Sequence, residues 1–471
     1  MIQPVLLWIV SALLLAGAFL AAGHALLTNR DSKAAFGWIA FCFILPLAGP
    51  IIYLIFGINR ASHRAKKDYF IKINRDSLPT ITEPEGTDFR PLSKVGETLT
   101  NKGLSACTEV HLLENGEQLY PQMLEAIDAS SSRVLLASYV FDNNATGHLF
   151  VDALSRAQQR GVEVKVILDG LGEFMSLPRI GGRLRRHNIE FVRFNQVTLF
   201  PPALNINLRS HRKLLIVDGL LAFTGGQNIG DRHLAQRTDN PNRVLDIHFR
   251  LSGKIVDELE WAFWKDWHYC KRTHEVQSFQ GRNANLTVAP VWSRLVLDGP
   301  NKDLDKLNNL IMGVISSAQT RVCIMTPYFL PTFDLTGAMI AAHLRGVQVT
   351  ILLSGHNNIA LTHWASQNIL LQILEQDVEI YYQPAPFIHS KLLLVDDNYS
   401  LIGSANMDPR SLRLNYEMGV ELFSTSVNQQ LSDYFEGKRA ISRRVYRDEI
   451  ANRPMLVNIR DSLAWLFSPY L

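Results

Sequence analysis

A chain of 471 residues with 47 Lys and Arg against 44 Asp and Glu carries a formal charge of only +3, too small to mark it by itself as a nucleic-acid binder. Its length accommodates a membrane segment and two ordinary domains, and a hydrophobic content of 47% is that of a folded protein. Cys42, Cys107, Cys270 and Cys323 lie far apart, with no CxxC or Cys/His cluster; they indicate neither a disulfide framework nor a structural zinc, and fit a reducing cytoplasmic side.

From Pro4 to Asn29 there is no charged residue, and after Arg30, Asp31 and Lys33 a second uncharged run extends from Ala34 to Gly57. Each is long enough for the roughly 20 helical residues that cross a bilayer, and Pro46 and Pro50 in the second are tolerated better in membrane helices than in soluble ones. A signal peptide fits poorly, because no basic segment precedes the first run and a second run follows at once. Residues 1–57 therefore read as a transmembrane helical hairpin. Arg60, Arg64, Lys66 and Lys67 follow it, and positive charge beside a span favours the cytoplasmic side, so both chain ends and the catalytic domains are expected there. Residues 58–106, with Pro79, Pro84 and Pro91, read as a basic segment and linker.

Beyond Cys107 the pattern alternates between strand and helix. Glu109–Leu113 reads as strand, Glu114–Gly116 as a turn, Tyr120–Ser130 as helix, Arg133–Phe141 as strand, His148–Gln159 as helix and Val162–Asp169 as strand. The order recurs in Leu307–Ala318, Arg321–Phe329, Asp334–Leu344 and Val347–Leu353, and Arg160-Gly161-Val162 matches Arg345-Gly346-Val347. The expected fold class is α/β: the hairpin, then two tandem domains, 107–290 and 291–471, related by an approximate dyad.

The duplication is sharpest at His211-Arg-Lys213-Leu-Leu-Ile-Val-Asp218 and His389-Ser-Lys391-Leu-Leu-Leu-Val-Asp396. Alternation along a strand puts His and Lys at i and i+2 on one face. One such pattern is weak evidence. Two with matching tails, Gly225-Gly226-Gln-Asn228 and Gly403-Ser404-Ala-Asn406, are strong. Two half-sites meeting at a dyad surround one anionic centre with two imidazoles and two ammonium groups, and the lysines suit phosphate oxygens. One histidine can attack phosphorus while the other protonates the leaving oxygen. Gly226, Ser404, Asn228 and Asn406 are candidate neutral donors. Asp246 and Glu417, on the strands after each motif, are candidates to hold the second ring nitrogen of a histidine. Asp218 and Asp396 end their strands, and either touch the site or brace a turn. No metal or other cofactor is required by this set.

The paired HxKxxxxD motifs resemble the phospholipase D superfamily, and the whole chain resembles bacterial cardiolipin synthases. The likeness runs from Phe43-Ile-Leu-Pro46-Leu-Ala-Gly49 through Gly225-Gly226-Gln-Asn228-Ile-Gly-Asp231, Thr326-Pro327-Tyr328-Phe329 and Met407-Asp408-Pro-Arg410-Ser411 to Leu466-Phe-Ser-Pro469-Tyr-Leu471. The resemblance implies two phospholipase D-like domains in a multi-pass cell-membrane protein. It also implies a two-step transesterification through a phosphohistidine, with His211 as nucleophile and His389 as acid and then base, or with the two roles exchanged. Two phosphatidylglycerol molecules would give cardiolipin and glycerol. Two departures bear on the alcohol recognised: Leu245 stands where relatives often have Arg, and Asn358 where they tend to have Asp.

Between Gly170 and His211 the first half carries an insertion, with apolar runs Phe174–Leu177 and Val197–Leu204 flanking Arg179, Arg183, Arg185 and Arg186. Such loops suit acyl chains and anionic head groups, or simple loop packing. Leu463–Phe467 is open to the same two readings. A hydrolase using water, or a transferase using another phospholipid or alcohol, is the alternative within the enzyme class. A nuclease is disfavoured by the lack of a basic face and by the membrane runs, so the expected partners are a phospholipid bilayer and phosphatidylglycerol rather than nucleic acid. A scaffold would be expected to have lost one motif, and both are intact.

Overall fold

The computed structural model describes residues 2–28, 32–54, 89–196, 208–273 and 291–468. Outside these lie Ile55–Gly57 of the second apolar run, the basic stretch and most of the linker, the run Val197–Leu204 and the terminal Pro469–Leu471. Two compact units are present, one within Met1–Lys67 and one within Asp68–Leu471.

In the first unit, α1 (Ile2–Thr28) has 27 residues and is about 40 Å long at 1.5 Å per residue. Among the described residues it is the one helix long and apolar enough to cross a membrane. The second apolar run differs from the single span expected. It forms α2 (Ser32–Ile44), breaks at Leu45–Leu47, and resumes as α3 (Ala48–Ile52). Pro46 has no N–H to continue the α2 ladder, whereas Pro50 falls in the first turn of α3, where no N–H is needed. The break is close-packed: a Cβ on Gly49 would lie 2.5 Å from the Phe41 carbonyl oxygen. Ala18, Ala21 and Ala25 form a small-residue face of α1 against Cys42 and Tyr53.

The second unit begins with α4 (Arg90–Thr100). Its first half is β1 (Ser105–Glu114), α5 (Asn115–Ala129), β2 (Arg133–Ser138), α6 (Ala145–Gln159), β3 (Glu163–Asp169), α7 (Gly170–Met175), α8 (Gly181–Arg186), β4 (Glu190–Phe194), β5 (Leu214–Val217), β6 (Leu221–Gly225), β7 (Val244–Leu245), β8 (Ile247–Gly253) and α9 (Ile255–Lys271). The second half is β9 (Val291–Asp298), α10 (Lys306–Ser317), β10 (Arg321–Thr326), α11 (Phe333–Leu344), β11 (Gln348–Ser354), α12 (Ala360–Leu374), β12 (Glu379–Gln383), β13 (Phe387–Ile388), β14 (Leu392–Val395), β15 (Tyr399–Gly403), α13 (Pro409–Arg413), β16 (Glu417–Phe423), α14 (Thr425–Ala440), β17 (Arg443–Val445), α15 (Arg447–Ala451) and α16 (Met455–Trp465). The turn expected at Glu114–Gly116 is instead the start of α5. Asn115, at φ 57°, reverses the chain in one residue, a conformation Asn tolerates well.

Among the described residues fifteen strands form one sheet, in the order β17-β12-β11-β10-β14-β15-β16-β9-β1-β8-β6-β5-β2-β3-β4. Apart from β17 the order is a palindrome about the β9–β1 junction, where Ala106 pairs with Trp292 in antiparallel register. The duplicated sequence thus becomes one continuous sheet with an internal two-fold relation. β2 and β10 are buried on both faces beyond their first residue, which explains their near-continuous apolar runs. Each half has its own core, with Leu136, Phe150, Val166 and Leu215 in the first and Leu310, Ile324, Ile351 and Leu393 in the second. Each such side chain contributes about 1.5–3 kcal/mol of burial.

Candidate active site

Each histidine sits just before a four-residue buried strand, and a short parallel contact with the other half fixes its position. Ser210 bridges Tyr416, and β13 pairs with β7 so that Ile388 lies opposite Leu245. The His211 N–H donates to the Tyr416 carbonyl at 2.9 Å, and the His389 N–H to the Leu245 carbonyl at 2.7 Å. Tyr416 precedes Glu417 and Leu245 precedes Asp246, so each histidine meets the acid of the opposite half. A reading that gives each histidine the acid from its own following strand is corrected by this register.

His389 Nδ1 lies 2.7 Å from Asp246 Oδ2 in a hydrogen bond, and His211 Nδ1 lies 3.1 Å from Glu417 Oε1. Both carboxylates are fully buried, while the imidazoles keep 14% and 13% exposure, enough to admit a reactant. With Nδ1 turned to a carboxylate, Nε2 is the nitrogen left for chemistry. Glu417 is itself held by the Ser404 hydroxyl, which donates to Oε2 at 2.5 Å, and by the Asn415 amide at 3.2 Å. At the matching position in the first half, Gly226 leaves room for Asp246. A Cβ there would lie 2.3 Å from Asp246 Oδ1. Asp246 Oδ1 accepts from the Ile247 N–H at 2.8 Å.

Lys213 Nζ donates to the His211 carbonyl at 2.7 Å. Lys391 Nζ lies 2.9 Å from His389 Nδ1 and also bonds the His389 carbonyl. Burial pushes Lys213 down to about 8, against the charges of Glu417, Asp246 and Asp169. Burial likewise pushes Lys391 down to about 7, with Asp246 opposing and Lys213 reinforcing the shift. Both histidines are depressed below the usual imidazole range, first by burial and then by the adjacent lysine of their own motif. His389 also feels Lys213 and His211, and His211 feels Lys391, so the two half-sites share one electrostatic field. A neutral imidazole is the form a nucleophile needs, and an entering anion would favour the charged lysines and a protonated second imidazole.

Other expected site residues lie elsewhere. Asp218 and Asp396 sit at the far end of the motif strands, where they brace turns. Asp218 accepts from the N–H groups of Ser131, Ser132 and Arg133 at 2.9, 2.7 and 2.9 Å, and Asp396 from those of Gln319, Thr320 and Arg321. A four-residue strand at about 3.3 Å per residue separates each from its histidine, so neither carboxylate lies beside the imidazoles. Several groups of the proposed neutral donors are engaged within the protein. The Gly226 and Ser404 N–H groups donate to Ile247 and Met418 carbonyls. Asn228 Oδ1 accepts from the Val140 N–H, and Asn406 Nδ2 donates to the Ser411 hydroxyl.

Several groups at the site escaped the sequence reading. The Tyr139 ring meets His211 edge-on at 4.4 Å between centroids, with Lys213 Nζ 5.5 Å from the same ring. In the second half Phe387 packs at 6.0 Å from His389 and from Tyr328, and the Tyr328 hydroxyl donates to Asn358 Oδ1 at 2.6 Å. Buried Arg212 clamps Asp266 through two bonds of 2.7 and 2.8 Å and donates to the Glu417 carbonyl. Asp169 accepts from the Ser210 N–H, next to His211 of the first motif. Tyr139 and Tyr328 follow β2 and β10, the second strand of each half, and that shared position was the available signal.

Two histidines, each with a carboxylate and a lysine, converging across a sheet palindrome define a phospholipase D-like two-lobed enzyme. The family model described as cardiolipin synthase, phospholipase D-like domain, matches residues 123–267 and 311–439, more than half the chain, and the chain belongs to that family. A second model, phospholipase D-nuclease N-terminal, matches residues 16–57. The chain is 29% identical over 461 residues to the major cardiolipin synthase of Bacillus subtilis, covering 94% of this chain and 95% of the relative. It is also 29% identical over 463 residues to a cardiolipin synthase of Alkalihalophilus pseudofirmus, covering 94% and 90%. A phosphatidylserine synthase structure from Haemophilus influenzae shares the fold, with a TM-score of 0.62 at 15% identity over 81% of this chain and all of the other.

Proposed function

We propose that this chain is a membrane-embedded cardiolipin synthase that transfers a phosphatidyl group between two phosphatidylglycerol molecules. The crossed His–carboxylate pairs, flanked by Lys213 and Lys391, carry this reading. His211, as the neutral imidazole, attacks phosphorus through Nε2, the bond from phosphorus to the glycerol head-group oxygen breaks, and His389, which enters this step as an imidazolium held by Asp246 beside the bound phosphate anion, gives its Nε2 proton to the departing glycerol. Glu417 stabilises the positive charge that forms on the His211 ring, and the two lysines balance the equatorial oxygens. In the second step His389, now neutral, takes the proton from a hydroxyl of a second phosphatidylglycerol. That oxygen attacks phosphorus, the P–N bond to His211 breaks, and cardiolipin leaves. Atoms balance as two phosphatidylglycerols in, one cardiolipin and one glycerol out.

α1 holds the chain in the bilayer, and α2 with α3 completes a membrane-embedded hairpin whose flanking basic residues place the catalytic unit on the cytoplasmic side. The test is purified full-length protein in detergent micelles with phosphatidylglycerol labelled in its head group. Cardiolipin and free glycerol in equal amounts are expected, and phosphatidic acid as the sole lipid product would overturn the transferase reading. His211→Ala and His389→Ala are each expected to abolish turnover, and retained turnover in either would overturn the mechanism.

A further inference from the structure

The C-terminal helix α16 is secured by one face and leaves the other bare. Its buried side carries Asp461 and Ala464. Ala464 packs with Leu330 and Ala365, with Trp364 beside them. Asp461 is the only acid in α16 and is paired with Arg453 at 3.2 Å and Arg460 at 2.7 Å. Arg460 also lies over the Trp364 ring at 4.5 Å. The opposite face consists of Met455, Leu456, Ile459, Leu463, Leu466 and Phe467, all between 44% and 81% exposed. At about 100° per residue these six positions fall within a single arc of about 120°. No exposed acid interrupts the stripe, and partly exposed Arg453 and Arg460 are the charges nearest to it in sequence.

One helix links this element to the site. α16 packs on α12, and α12 starts two residues after Asn358, the acceptor of the Tyr328 hydroxyl at the site's rim. Ile359 and Leu361, at that start, are exposed. The loop after β3, which is the counterpart of β11 in the sheet palindrome, exposes Phe174 and Leu177 in the same way.

We propose that the apolar stripe of α16 lies in the interface of a bilayer containing anionic lipid. The six apolar side chains sit among the upper acyl chains, and Arg453 and Arg460 extend toward phosphate groups. A bilayer is the occupant favoured by the spanning helix in the same chain and by Arg453 and Arg460 beside the stripe. The proposal rests on the lipid-transfer reading above and adds to it a surface that holds the site mouth against the substrate's own membrane.

The test uses full-length protein carrying Leu456→Cys labelled with an environment-sensitive fluorophore. Cys42, Cys107 and Cys323 are buried, and the half-buried Cys270 thiol is pushed well up by burial, so the new thiol labels preferentially. In vesicles of phosphatidylcholine and phosphatidylglycerol the label is expected to shift to the blue and be quenched by bromine on the acyl chains. An emission typical of water and insensitive to brominated lipid would overturn the proposal. So would a shift that disappears when protein is diluted into excess lipid, which would mean a second copy covers the stripe. The paired variant Leu456→Asp/Leu463→Asp is expected to lower turnover of bilayer phosphatidylglycerol about tenfold or more, since interfacial binding scales with buried apolar area. Turnover of a short-chain, monomeric phosphatidylglycerol should be unchanged. Equal effects on the two substrates would overturn the proposal. Absence of any cardiolipin from the unsubstituted protein would instead refute the function, and the fluorescence result would decide the docking on its own.

Discussion

The crossed pairing makes the most discriminating prediction, because a pairing within each half gives the opposite result. Glu417→Gln keeps the shape of the side chain but removes the charge 3.1 Å from His211 Nδ1. At an effective dielectric constant of about 20 the bare interaction with an imidazolium at that separation is about 5 kcal/mol. The amide dipole and relaxation of the site recover part of it, and a charge-assisted hydrogen bond is worth roughly 1.5–3 kcal/mol net. A loss of about 2–3 kcal/mol corresponds to roughly 30- to 150-fold in the step that places positive charge on His211. Under the proposed mechanism that step is formation of the phosphohistidine, read as a rapid-quench burst. Nitrogen NMR on labelled histidine identifies the partner independently of rate. Glu417→Gln should lower the His211 pKa further and leave His389 nearly unmoved, and Asp246→Asn should do the reverse. If Asp246→Asn moves His211 and Glu417→Gln moves His389, the crossed geometry is wrong.

Gly226→Ala would put a methyl group 2.3 Å from Asp246 Oδ1; displacing that acid from His389 is expected to cost about 100-fold in kcat with the circular dichroism spectrum retained. The buried lysines set an alkaline limit, because the charged form is lost as pH rises past about 7 for Lys391 and about 8 for Lys213. We therefore expect kcat/KM of the wild type to fall between pH 7 and 8, and Lys391→Arg to push that limb upward while weakening catalysis through its different geometry. Asp218→Ala should leave the kcat of folded protein unchanged and lower stability by about 1–2 kcal/mol in urea denaturation, the scale of a lost capping residue. Partial burial raises the Asp218 pKa, but the N–H groups of Arg133, Ser131 and Ser132 outweigh it and bring it to about 2. This contribution is thus full above pH 4 and lost as pH falls toward 2, and a wild-type–variant difference that persisted unchanged at pH 2 would contradict the assignment.

Much of this was legible in the chain because duplication repeats a signal that is weak alone. The two HxKxxxxD segments, the matching glycine turns and the strand–helix alternation require only local pattern and periodicity, and the α/β tandem architecture follows from them. The partner of each histidine was not legible, because it depends on which strands of the two halves run side by side. That is set by the contacts Ser210–Tyr416 and Ile388–Leu245, each joining residues more than a hundred positions apart. Asp218 and Asp396 mislead for a related reason. Each sits at the same offset from its histidine, but that offset is filled by a strand, and an extended chain carries the carboxylate away from the site. The break after Ile44 was hidden by composition, since hydropathy is blind to the missing N–H of Pro46. Tyr139 and Tyr328 carry no charge pattern, and they acquire a role only once the strand ends are brought to the histidines.

The two halves reach the same geometry with different parts, and the difference follows from side-chain length. Asp246 is short and needs the space left by Gly226 to lie close behind His389, where it makes a hydrogen bond of 2.7 Å. Glu417 is one methylene longer, and Ser404 takes the place of that glycine; its hydroxyl ties the longer side chain down at 2.5 Å while Asn415 holds the other oxygen. The substitutions are therefore coupled in pairs, Gly with Asp and Ser with Glu. Exchanging only one member should damage the site more than exchanging both. Gly226→Ser combined with Asp246→Glu is expected to recover at least tenfold of the activity lost in Gly226→Ser alone, a coupling of the size found between residues in direct contact. Strictly additive losses in that cycle, measured as kcat/KM on phosphatidylglycerol, would show that Gly226 matters for some reason other than the room it leaves for the acid.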